Sequence, residues 1–283
     1  MLKKSLFYLS AIAILSACNN NNQEHASQEQ PKDSTQNKII TQPQNELADF
    51  KFRTLVINIP SPFEIIAQFA KSGVPFKTGI VNPTENVTKY TTTTKKGINY
   101  GIYVVDLVYL SSHQHYSDIK NYFETSVTLA KNLEFYEGYA NIVGTRLENN
   151  IDKKDTINRI MDQVYTEMDN YLRSNNRLLT ATHIVAGSWI ESQYITISLL
   201  KDETKTAANE ALFQKVVEQS FTSKKLVDIL KDYEKEKEFK PVIDDIKELD
   251  KLYGELHSDK DMTKEILQKI YTKLSNIRSK MVN

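Results

Sequence analysis

Asp155-Thr156-Ile157-Asn158-Arg159-Ile160-Met161-Asp162-Gln163-Val164-Tyr165-Thr166-Glu167-Met168-Asp169-Asn170-Tyr171-Leu172 decides the fold class. Ile157, Ile160, Met161, Val164, Tyr165, Met168 and Leu172 recur at steps of three and four, which gathers them on one helical face and leaves the acids and amides on the other. A strand would need alternation at every second residue. Asp152 and Asp155 place negative charge where a helix N-terminus favours it. The next segment, Leu178 to Leu200, is apolar on most sides but interrupted by His183, Glu191 and Gln193. It reads as a buried central helix rather than a membrane span. With only 8 Gly and 7 Pro in 283 residues, the chain is poor in turn formers, as expected of long helices joined by short connections.

Working outward, Ser61-Pro62-Phe63-Glu64 has the order of a helix start: Ser61 as N-cap, proline at the first helical position and Glu64 where a capping box closes. Gly73 offers the stop. Asn82-Pro83-Thr84-Glu85 repeats the device, and further helices are expected over Ile98 to His113 and Tyr116 to Leu133. Past Asp202, Leu212, Val216 and Val217 form one stripe, and Leu226, Ile229, Leu230 and Tyr233 another. Lys231 to Lys240 is nearly pure charge and marks a hinge before Pro241. Two more amphipathic segments follow, one carrying Ile246, Leu249 and Leu252 and the other Ile270, Leu274 and Ile277, separated by Ser258-Asp259-Lys260-Asp261. The expected architecture is all-α, a multi-helix bundle over residues 51–235 with a C-terminal antiparallel helical hairpin over 236–283. That hairpin either docks on the bundle or offers a protein partner a coiled contact.

The N-terminus gives an address. Lys3 and Lys4 precede an apolar run from Leu6 to Leu15, too short to cross a bilayer, which needs about 20 residues. Leu15-Ser16-Ala17-Cys18 follows, and Cys18 is the only cysteine. The segment resembles the signal of bacterial lipoproteins. That resemblance implies that residues 1–17 are removed and that Cys18 is acylated and anchors the chain to a membrane, several acyl chains holding far more firmly than one. Residues 18–50, rich in Gln, Asn and Ser, read as a disordered tether. In the family's sorting pattern an Asp after the lipidated Cys marks inner-membrane retention. Asn19 stands there instead, which implies the outer membrane, on either face. Lys+Arg and Asp+Glu both number 36, so no charge excess argues for nucleic acid.

Catalytic motifs are sparse. G-x-S-x-G, H-E-x-x-H, a glycine-rich phosphate loop and paired C-x-x-C are all missing from the sequence, and no histidine follows an acidic residue by three positions as in diiron bundles. His113 and His115 sit two apart and would chelate one metal only where a helix ends. No cofactor or metal is expected. One constellation merits pursuit: Tyr103, Asp106, Tyr109 and His113 share a helical face, and Asp106 lies among apolar neighbours; Glu191 does likewise beside Trp189 and Tyr194. A carboxylate so placed is costly without a partner. Tyrosines, His183 or Arg173 could satisfy it structurally, or the group could form a polar pocket for a small molecule or acid/base work. Gly97, Gly101 and Gly187 would let the two helices approach closely.

The chain also resembles a group of uncharacterised helical lipoproteins of Gram-negative bacteria. The likeness rests on Asn82-Pro83-Thr84-Glu85-Asn86-Val87, Lys89-Tyr90-Thr91-Thr92, Gly101-Ile102-Tyr103-Val104-Val105-Asp106-Leu107-Val108-Tyr109 and Gly187-Ser188-Trp189-Ile190-Glu191. It implies an all-helical envelope protein and supplies no activity. The expected function is a binding or scaffolding module, with an acid/base enzyme using Asp106 and Glu191 as the alternative.

Overall fold

The computed structural model describes residues 61–138 and 153–283, together with 49, 51, 52, 140, 146, 149 and 150. Cys18, the signal and the tether lie outside the described residues. The fold is all-α. Among the described residues the helices with both ends defined are α1 (Pro62–Lys71), α2 (Thr93–Ser112), α3 (Tyr116–Asn132), α4 (Lys154–Ser174), α5 (Leu178–Leu200), α6 (Glu210–Leu230), α7 (Lys240–Gly254) and α8 (Lys264–Val282). None of the described helices is long and apolar enough to cross a membrane.

Local chemistry accounts for the starts. The Ser61 hydroxyl accepts the Phe63 N–H with Pro62 at the first position, as expected. Thr92 caps α2 by accepting from Lys95 N, so this helix begins five residues before the expected Ile98. Asn82-Pro83-Thr84-Glu85 departs from expectation. It opens a 3-10 helix, Thr84–Lys89, without a side-chain cap. Asn82 is instead buried, its amide donating to the Tyr90 hydroxyl (2.9 Å) while its oxygen accepts from Asn86 (2.8 Å). The two stripes between Leu212 and Leu230 belong to one helix, α6, and Tyr233 falls in the 3-10 turn after it.

The core is built on α2 and α5. Every residue of α2 from Gly97 to Ser112 is buried, as is nearly all of α5. The two pack against each other through the three expected glycines. A Cβ on Gly187 would lie 2.0 Å from the Ile98 carbonyl oxygen, and one on Gly101 would lie 2.3 Å from the Ile184 carbonyl oxygen. Such backbone contact is open only to residues without a side chain. Around this pair stand α1, α3, α4 and α6, with α7 and α8 closing the far side.

The charged 231–240 connection ends on Phe239, which is fully buried with its ring edge-on to His183 at 4.4 Å. A packed anchor therefore stands at the end of the expected hinge. His183 is neutral there: burial lowers its pKa to about 4, and neither ring nitrogen has a hydrogen-bond partner among the described residues. The apolar stripes of α7 and α8 are turned into the body, with Ile246, Leu249, Ile270 and Leu274 fully buried. Asp245 joins the two helices by accepting from Lys273 (3.1 Å) and Lys280 (2.7 Å). Further on, the Met281 carbonyl accepts from Asn99 of α2 (2.8 Å).

Candidate functional site

The expected constellation of Tyr103, Asp106, Tyr109, His113, Trp189, Glu191 and Tyr194 divides into three groups. The first is a clasp. Four positions along one face of α2 hold the backbone of residues 74–83. The Tyr103 hydroxyl donates to the Pro83 carbonyl (2.8 Å), and Asp106 Oδ2 accepts the Asn82 N–H (2.9 Å). The Tyr109 hydroxyl accepts the Lys77 N–H (2.8 Å), and His113 Nε2 lies 3.1 Å from the Val74 carbonyl. Burial raises the Tyr109 pKa to about 12, so it stays protonated. The helical register was legible, but its task is to satisfy a non-helical segment's backbone, which would otherwise leave buried polar groups unpaired.

The second group is ionic and largely interior. Glu191 of α5 has no exposure, and Arg278 of α8 grips it with two bonds, Nε to Oε2 at 2.6 Å and a terminal nitrogen to Oε1 at 2.8 Å. The guanidinium stacks over Tyr194, 4.5 Å from the ring centroid, and Tyr194 stacks in turn on Tyr271. Burial works against the charge on Arg278, but Glu191, and beyond it Asp106, outweigh this and hold its pKa above the ordinary arginine value. Neither anticipated base serves here: Arg173 pairs with Asp169 on its own helix (2.8 Å), and His183 faces Phe239.

Asp106 completes this group. Its carboxyl also comes within hydrogen-bonding reach of the Glu191 carboxyl, a contact that becomes a hydrogen bond only if one of the two acids carries a proton. Burial, then the charge of Glu191, push the Asp106 pKa well above the carboxylate range, while Arg278 and the Asn82 N–H oppose this more weakly. Asp106 therefore favours its neutral, donating form, while Arg278 pairs with Glu191.

A pH dependence follows with a definite sign. An unfolded Asp loses its proton near pH ~3.9. Above that pH the folded state holds a proton that the unfolded state has released, so Asp106 lowers stability as pH rises from there toward its raised folded-state pKa. Asp106→Asn keeps an acceptor for Asn82 and a donor for Glu191. Urea midpoints of the variant should therefore fall less than those of the parent as pH rises above the ordinary carboxylate range. Identical slopes would refute the protonated assignment.

Trp189 belongs to a third group. Two residues before Glu191, it points away from the ionic trio toward α6 and α7. Its Nε1 donates to Gln219 (3.3 Å), which also accepts from Gln193 (3.1 Å), while the Tyr253 hydroxyl donates to Gln193 (2.7 Å). A small cleft of about 130 Å³ reaches Trp189 beside α1 and α6. A larger one, about 690 Å³, lies between Lys201 at the end of α5 and Lys264, Lys269 and Lys273 of α8. Neither is lined by Asp106 or Glu191. His113 and His115 do flank a helix end, but Phe76 packs on both, its ring centre 3.5 Å from that of His115. Among the described residues no group of three histidine, cysteine or acidic side chains could hold a metal ion.

No protein-family model, curated protein or solved structure matches this chain.

Proposed function

We infer that this is a lipid-anchored protein of the bacterial outer membrane whose helical body works by binding or scaffolding in the cell envelope. One observation carries the reading: the sole cysteine, Cys18, closes the box Leu15-Ser16-Ala17-Cys18 directly behind a two-lysine start and a short apolar run. In this reading the acylated Cys18 holds the membrane, residues 19–50 form the leash, and the helices present the working surface. The resemblance to helical envelope lipoproteins points the same way.

Binding is favoured over acid/base catalysis by what the buried acids already do. Glu191 has both oxygens on Arg278, and Asp106 accepts from the Asn82 backbone and lies against Glu191. A catalytic acid or base must reach the proton it moves, within about 3 Å of substrate or through one water. These two groups instead face other protein atoms in the core.

Metabolic labelling with radioactive palmitate tests the anchor. The parent chain should incorporate label and sediment with membranes, and Cys18→Ala should do neither. An unlabelled parent at full precursor mass would end the proposal.

A further inference from the structure

The segment clasped by α2 forms one wall of a cleft of about 470 Å³, and the start of α3 forms the other. That volume is within the ordinary range for small-ligand sites. Phe76, Pro83, Leu110 and Tyr122 give it an apolar and aromatic lining, Glu85 and Asp118 are its acidic residues, and His115 also lines it, stacked on Phe76. Glu85 sits on the 3-10 turn Thr84–Lys89 and Asp118 in the first turn of α3, so the acids come from different walls. Neither has an ion-pair partner among the described residues, whereas Asp202, Asp232, Asp245 and Asp259 each meet a lysine. A separate observation concerns Tyr122. Its side chain lines the cleft and is only 8% exposed, yet its hydroxyl has no hydrogen-bond partner among the described residues. Its ring is held edge-on against Tyr103 at 6.0 Å.

Unpaired carboxylates and an uncommitted hydroxyl favour a cation. A bare metal ion is a poor occupant, since the described residues offer no three-ligand group. An organic ammonium suits the lining better: it is more weakly hydrated, its methylenes pack on rings, and its N–H groups reach carboxylates. We propose that the cleft between residues 76–85 and α3 binds a linear alkyl polyammonium ion, one amine on Glu85, another on Asp118, and the methylene chain across Pro83 and Tyr122. The proposal rests on the reading of the body as a binding module and not on the lipid anchor, so failed palmitate labelling and failed ligand binding are separate results.

Isothermal titration of the full chain in detergent micelles at pH 8, with spermidine as probe, tests it. Saturable binding at one site is expected. Glu85→Gln and Asp118→Asn should each weaken it by about tenfold, and Tyr122→Phe by a few fold. Glu255→Gln, at the far end of α7, should leave it unchanged. Both acids are exposed, so circular dichroism should match the parent, and Glu85→Gln gives a reading free of any effect on the first turn of α3. The proposal is overturned if millimolar spermidine gives no saturable heat, if the double variant Glu85→Gln with Asp118→Asn binds as the parent does, or if magnesium chloride displaces spermidine at equal charge concentration.

Discussion

Gly187→Ala is expected to destabilise the protein by about 3 kcal/mol or more, although alanine is the better helix former by about 1 kcal/mol. The added methyl would sit 2.0 Å from the Ile98 carbonyl oxygen and 2.8 Å from its carbonyl carbon. Both are backbone atoms of a helix buried on every side, so relief requires α2 and α5 to move apart along their shared length. That separation would also loosen the contacts that aim Asp106 and Glu191. For a body of this size the melting temperature should fall by roughly 6 to 12 °C. Gly254→Ala is the internal control. Gly254 also lies in a helix, α7, but an added Cβ there meets nothing within 4 Å. It should be neutral or stabilising by a few tenths of a kcal/mol. Equal effects at the two positions in calorimetry would show that the close approach is not what Gly187 provides.

Arg278→Met should cost about 3 to 5 kcal/mol, because it leaves the Glu191 carboxylate buried without its counter-charge. A methionine roughly preserves the packing along the stem, so the loss reports the charge and its two bonds. Glu191→Gln in the same chain should recover at least half of that loss, since a neutral amide no longer needs a cation. The coupling separates this account from simple loss of packing: two independent packing defects would add. Because Arg278 ties α8 to α5, hydrogen exchange in Arg278→Met should rise first in α7 and α8. Unaltered protection of residues 240–282 would contradict the role given to the pair.

Much of this architecture is readable from spacing. α5 runs from Leu178 to Leu200 and α3 from Tyr116 to Asn132, as their periodicity requires, since long runs average over local exceptions. The start of α2 was hidden because Thr93-Thr94-Lys95-Lys96 carries no apolar signal; only Thr92, as a cap, marks it. At Asn82 the sequence shows a plausible cap, but tertiary hydrogen bonds claim the side chain and only a 3-10 turn forms.

In the candidate site, the burial of Asp106 and Glu191 was legible from their apolar neighbours, and the glycine contact from its unusual residues. The partner was not, because it lies 87 positions away on a helix that otherwise shows only an ordinary apolar stripe. A signal did exist: Arg278 is the only arginine after Arg177, in a region otherwise supplied with lysine. Arginine's planar fork and weaker hydration suit it to a buried carboxylate where lysine does not. Trp189 and Glu191 are neighbours in sequence but face opposite sides of α5, so proximity along the chain placed them in one group that the helix pulls apart.

The wide sequence separation between Glu191 and Arg278 also sets an order of events. A ribosome delivers residue 191 well before residue 278, and until then the growing polypeptide carries a carboxylate that its own interior cannot accept. The half-emerged chain therefore has good reason to stay open. Closure comes as one late step, when α8 arrives and supplies the missing guanidinium.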